Sequence, residues 1–70
     1  MTSYRAVLID TEKHLPTTPE TVREIHRRMD CWADNSIRHA LRALVDTGKA
    51  ECVREPGPSG TWRWRYWRKV

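Results

Sequence analysis

Residues 61–69, TWRWRYWRK, alternate aromatic with basic side chains, and four of the six Trp and Tyr residues of the chain lie here. In an extended backbone a period of two sorts them onto two faces. Trp62, Trp64, Tyr66 and Arg68 share one face; Arg63, Arg65, Trp67 and Lys69 share the other. The first set can bury its aromatic bodies against a core. The second presents a row of cations, chemistry suited to a polyanion. On a helix these residues would not segregate, because positions 62–65 span nearly the whole circle, which disfavours an amphipathic membrane-binding peptide. A second cationic pair lies upstream. Arg38 and Arg42 in SIRHALRALVDT are four residues apart, with Ile37, Ala40, Leu41 and Leu44 on the opposite side of the same helical pattern. An arginine fork can bond a phosphate, or guanine O6 and N7 together.

The charge distribution agrees. Residues 1–35 carry five Lys/Arg and six Asp/Glu, net −1, whereas residues 36–70 carry eight and three, net +5. A basic half beside a near-neutral half implies a polyanion-facing side. Catalytic arrangements do not stand out: there is no Ser–His–Asp pattern, no paired carboxylates and no glycine-rich phosphate loop. Cys31, Cys52, His14, His26 and His39 lack zinc-site spacing. At 70 residues the chain makes one small domain with little room for a substrate cleft. We therefore expect no enzyme, no catalytic residue, no metal and no cofactor. The two cysteines form neither a CxxC motif nor a disulfide framework. MTSYRAVLID does not read as a signal peptide, and no apolar run approaches the ~20 residues that span a bilayer. These features lead to the expectation of a cytoplasmic protein with reduced thiols and no membrane association.

The elements that must position the cations follow from the hydrophobic periodicity. Tyr4, Val7, Leu8, Thr11 and Leu15 make one stripe of a first helix over about 3–15, with Thr2 or Ser3 as N-cap and Pro16 as terminator. Thr18 as N-cap and Pro19 at the first helical position open a second helix over about 19–29, with Val22, Ile25 and Met29 inward. Trp32, in the turn DCWADN, is expected to anchor the core beneath the second and third helices. Asp34 or Asn35 can cap a third helix over about 35–47, which ends at Gly48. The period then changes: KAECVRE and TWRWRYW read as two strands around the loop PGPSG, a hairpin over about 49–68. The expected fold is α+β, three helices followed by a two-stranded β-hairpin.

From TVREIHRRMDCWADNSIRHALRALVDTGKAECV onward the chain resembles the winged helix-turn-helix domains of MarR-like and GntR-like transcription regulators. The shared features are a short helix, a turn, a polar cap at Asn35-Ser36, a helix ending ALRALVDTG, and a hairpin around PGPSG. The likeness covers roughly residues 16–68. It implies that the third helix enters the DNA major groove and that the hairpin, the wing, lies on the backbone or minor groove. Carried across, the resemblance implies that Ser36, Arg38, His39 and Arg42 face DNA; the contacts expected on the hairpin are Arg54 and, from the cationic face of the last strand, Arg63 and Arg65. The extra dimerisation helices of MarR-like proteins and the effector domain of GntR-like proteins have no counterpart in these 70 residues, so a monomer or weak homodimer without ligand sensing is expected.

Two functions follow. The first is sequence-specific binding of double-stranded DNA by a small transcriptional regulator. With about six phosphates neutralised, affinity should fall roughly a thousandfold between about 50 and 200 mM salt. The second is a winged-helix module that docks on a protein partner, as an accessory subunit or a phage-encoded host-directed inhibitor, because fold alone does not settle function. RNA binding is a third, weaker option.

Overall fold

The computed structural model describes residues 4–70. Three helices and a three-stranded antiparallel sheet follow one another in the order α1 (Tyr4–Lys13), β1 (Glu20–Thr21), α2 (Val22–His26), α3 (Asp34–Asp46), β2 (Ala50–Pro56) and β3 (Trp62–Arg68). The chain is α+β as expected, but the expected two-stranded hairpin gains a third strand. β1 stands between the first two helices and pairs with β3, giving the sheet order β1-β3-β2. The N-cap expected at Thr2 or Ser3 lies outside the described residues.

The additional strand and the later start of α2 have one cause. The expected second helix began at Pro19, yet α2 starts at Val22 with Thr21 as its N-cap. The sequence Thr21-Val22-Arg23-Glu24 is a capping box. The Thr21 hydroxyl accepts from the Glu24 amide at 3.3 Å, and the Glu24 carboxylate accepts from the Thr21 amide at 2.9 Å. Two otherwise orphaned amides are satisfied at once, an arrangement that Thr18 cannot offer. Glu20 and Thr21 stay extended and pair with Tyr66 and Arg65. Thr21 is thus both a sheet residue and a helix cap. Beyond His26 the chain continues in tight turns, with the amides of Arg28 and Met29 donating to Ile25 and His26, and this delivers Met29 to the core.

α3 carries most of the core. Ile37, Ala40, Leu41 and Leu44 are buried on its inner face, and Leu15, Val22, Ile25, Met29, Ala50 and Tyr66 close over them. α1 lies against α3, with Val7 and Thr11 buried and the Thr11 hydroxyl donating to the Val7 carbonyl at 2.7 Å. Trp32 packs half-buried against the core, and its indole N–H donates to Asp10 Oδ2 at 2.6 Å, pinning the α2–α3 turn to α1. The N-cap of α3 is Ala33, one position before the expected Asp34, and makes no side-chain cap bond. Asp34 instead occupies the first turn, where a carboxylate suits the helix dipole, and its oxygen is taken by Arg38. After α3, Gly48 adopts φ +79°, the left-handed conformation expected of it. The turn is closed by the Lys49 amide donating to the Leu44 carbonyl at 2.8 Å.

Candidate nucleic-acid interface

The register Cys52↔Tyr66, Arg54↔Trp64 and Pro56↔Trp62 sets which side chains share a sheet face. Cys52, Arg54, Trp62, Trp64 and Tyr66 lie on the α3 side; Glu51, Val53, Glu55, Arg63, Arg65 and Trp67 lie on the other. The expectation that all the aromatics of the first set are buried needs correction. Exposure rises outward along β3, from 8 % at Tyr66 to 43 % at Trp64 and 60 % at Trp62. The helices cover only the root of the hairpin, and β1 ends at the pair with Arg65. Beyond that point the aromatic face is open.

The exposed face of α3 adjoins this open face. Arg38 and Arg42 are 61 % and 76 % exposed at the side chain, and each makes an i, i+4 ion pair, with Asp34 at 2.8 Å and with Asp46 at 3.5 Å. Such exposed pairs are worth at most ~1 kcal/mol, so an incoming phosphate can compete for either arginine. His39 is exposed, and its carbonyl accepts from the Tyr4 hydroxyl at 3.2 Å; Ser36 is half-buried in the first turn of α3. Two shallow hollows join helix to hairpin. One is lined by Arg42, Val45, Asp46, Cys52, Trp64 and Tyr66. The other lies between Thr21, Val22, Arg23 and Arg38 on the helical side and Trp62, Arg63 and Trp64 on the strand. Arg54 is exposed, with its guanidinium over the Trp62 ring, 4.7 Å from the centroid. Burial pushes the Tyr66 phenol above its ordinary value; Cys52 adds to this, while Arg38 and Arg42 pull it down.

Arg63 and Arg65, expected as a free cationic row, are instead held by acids. Both bond the Glu55 carboxylate, Arg65 through Nε to Oε1 and Arg63 through Nη2 to Oε2 at 3.3 Å. Arg65 also reaches Glu24 at 3.2 Å and the Pro19 carbonyl at 3.4 Å, and its side chain is only 25 % exposed. The cause is the cross-strand pairing, which sets Glu55 opposite Arg63 and diagonal to Arg65. Arg63 borders the second hollow, but its charge is shared with Glu55. Arg65 is a tie between hairpin and α2. Trp67 is half-buried on this same face, opposite Glu51.

These ion pairs give the fold an acid sensitivity. Burial opposes ionisation of Glu55, but the hydrogen bonds from Arg65 and Arg63 outweigh it and hold the carboxyl below the ordinary 4.5. Glu24 is lowered first by the Thr21 amide and hydroxyl, and further by Arg65. Both groups bind protons less readily when folded, so their contribution to stability is complete above about pH 4.5 and is lost as pH falls through the folded-state values. The melting temperature should therefore decline below pH 4.5, and Glu55→Gln should flatten that decline. An equally steep profile in the variant would remove Glu55 as a source.

Trp62 and Trp64 were not singled out as contact residues by their pattern. The outward gradient of exposure depends on how far the helices reach, which periodicity does not carry. Among the described residues no three His, Cys, Asp or Glu side chains converge as a metal ion requires, and no helix is long and apolar enough to cross a membrane. A scan against models of protein families finds no match, and searches of curated proteins and of solved structures return none either.

Proposed function

We propose that this chain is a winged helix-turn-helix domain that binds double-stranded DNA, with α3 in the major groove and the β2–β3 hairpin as the wing on the backbone or minor groove. The order α1-β1-α2-α3-β2-β3, with β1 completing the sheet, is compatible with that fold. The observation that carries the reading is a set of exposed cations on one side of the molecule: Arg23 and Arg38 in one hollow, Arg42 in the other, and Arg54 over Trp62 on the hairpin. At 13 residues α3 is about 20 Å long, and a helix of ordinary girth fits the ~12 Å major groove. Ser36 and His39 complete the outward face of α3. A small transcriptional regulator is the use that best suits such a domain.

The test is a titration of random duplex at low salt with wild type and with Arg38→Ala/Arg42→Ala. The double variant should bind at least about tenfold more weakly, because two of the cations that would neutralise phosphates are gone. No binding by wild type at low ionic strength, or equal binding by the variant, sinks the reading. Arg63→Ala/Arg65→Ala should register mainly in the melting temperature, because those cations already serve Glu55. Docking on a protein partner is the competing reading, and the exposed indoles of Trp62 and Trp64 are what favour it.

A further inference from the structure

Trp62 and Trp64 are two large apolar side chains that the fold leaves in water, at 60 % and 43 % exposure. Neither indole is needed to seal the core, which closes at Tyr66. We propose that the two form a stacking platform for one unpaired nucleobase beside the duplex held by α3, so that the protein prefers DNA with an unpaired base to fully paired DNA. The proposal rests on the DNA-binding reading above and adds a substrate preference to it.

Three observations support this occupant. First, side chains two apart on a strand stand about 6.8 Å from one another, twice the ~3.4 Å rise of stacked bases. By backbone spacing alone, the separation of the two residues is commensurate with one planar base. Second, the Trp62 ring already takes a flat cationic partner, the Arg54 guanidinium, 4.7 Å from its centroid. Third, the surroundings complement a nucleic-acid backbone: Arg23 and Arg38 share one hollow with the two tryptophans, and Arg42 shares the other with Trp64. Asp46, on the rim of the hollow that holds Arg42, is paired with that arginine. Cations interleaved with exposed aromatic faces are what an unstacked base with its phosphates requires, and stacking accepts any base because each has a π-face.

The test uses the full chain and three labelled DNAs: a paired duplex, the same duplex with one bulged base, and the single strand. By fluorescence anisotropy, wild type should bind the bulged duplex about tenfold more tightly than the paired one. Trp62→Ala/Trp64→Ala should bring the two to within about twofold, and Trp62→Tyr/Trp64→Tyr should keep most of the preference, since tyrosine still stacks. Arg38→Ala/Arg42→Ala should weaken both duplexes, and the bulged one no less than the paired one, because these arginines also line the hollows beside the tryptophans. Equal binding of the two duplexes by wild type overturns the platform while leaving the duplex reading intact, as does a preference that survives the double alanine variant. Absence of binding to any DNA overturns both. A dimer seen by sedimentation that dissolves in Trp62→Ala/Trp64→Ala makes a second copy the occupant and overturns the platform.

Discussion

Duplex affinity is expected to fall about 150-fold between roughly 50 and 200 mM salt, a log–log slope of about −3.6. The figure follows from which cations are available. Arg23, Arg38, Arg42 and Arg54 lie on the α3 side of the molecule, and the pairs that Arg38 and Arg42 make are exposed and weak. Arg63 and Arg65, by contrast, converge on Glu55, with Glu24 as a second acid for Arg65. Four neutralised phosphates give the smaller slope; about six, the number supposed from the sequence, give about −5.4 and a thousandfold loss or more. Anisotropy titrations over four salt concentrations distinguish these values. The steeper slope would mean that Glu55 releases its arginines on binding. A slope near zero would remove electrostatics, and the DNA reading with it.

Leu41→Ala should lower the melting temperature by about 15 °C. Leu41 is fully buried in the middle of α3, among residues contributed by α2 and the sheet. Truncating a buried leucine costs ~2–5 kcal/mol, part of it from the cavity left behind. A domain of this length has a total stability of roughly 4–10 kcal/mol, so the variant retains only a small margin, and each kcal/mol moves the midpoint by about 4–8 °C at this size. Ile9→Ala, at a side chain 58 % exposed on α1, is the control and should change stability by less than about 0.5 kcal/mol. Thermal melts followed by circular dichroism report both. A shift below about 5 °C for Leu41→Ala would mean that α3 is not the keel of the core.

Sequence periodicity was enough for α3, for Gly48 as its stop, and for a hairpin around PGPSG, because each depends on local pattern: a 3.6-residue apolar repeat, a left-handed glycine and a run of turn residues. It was not enough for β1. Two residues carry no period, and Glu20-Thr21 becomes a strand only because β3 passes beside it. The same holds for the candidate site. The outward direction of Arg38 and Arg42 was legible from Ile37, Ala40 and Leu41. The fate of Arg63 and Arg65 depended on Glu55 across the hairpin, a pairing fixed by register. Alternation correctly separated Trp62 and Trp64 from the arginines, but whether a face is covered depends on how far the neighbouring helices extend.

Thr21 belongs to the sheet and to α2 at once, and Glu24, which completes its capping box, also grips Arg65 of β3. Hairpin and helical layer are therefore clasped at their shared root, and neither can tilt at that point without disturbing the other. The molecule resembles a caliper with its jaws locked: the gap between α3 and the hairpin is set before any ligand arrives. Association then sacrifices little conformational entropy. If the proposed DNA binding holds, a double helix whose grooves do not match the gap would itself have to bend or open to fit, and its stiffness would enter the binding energy.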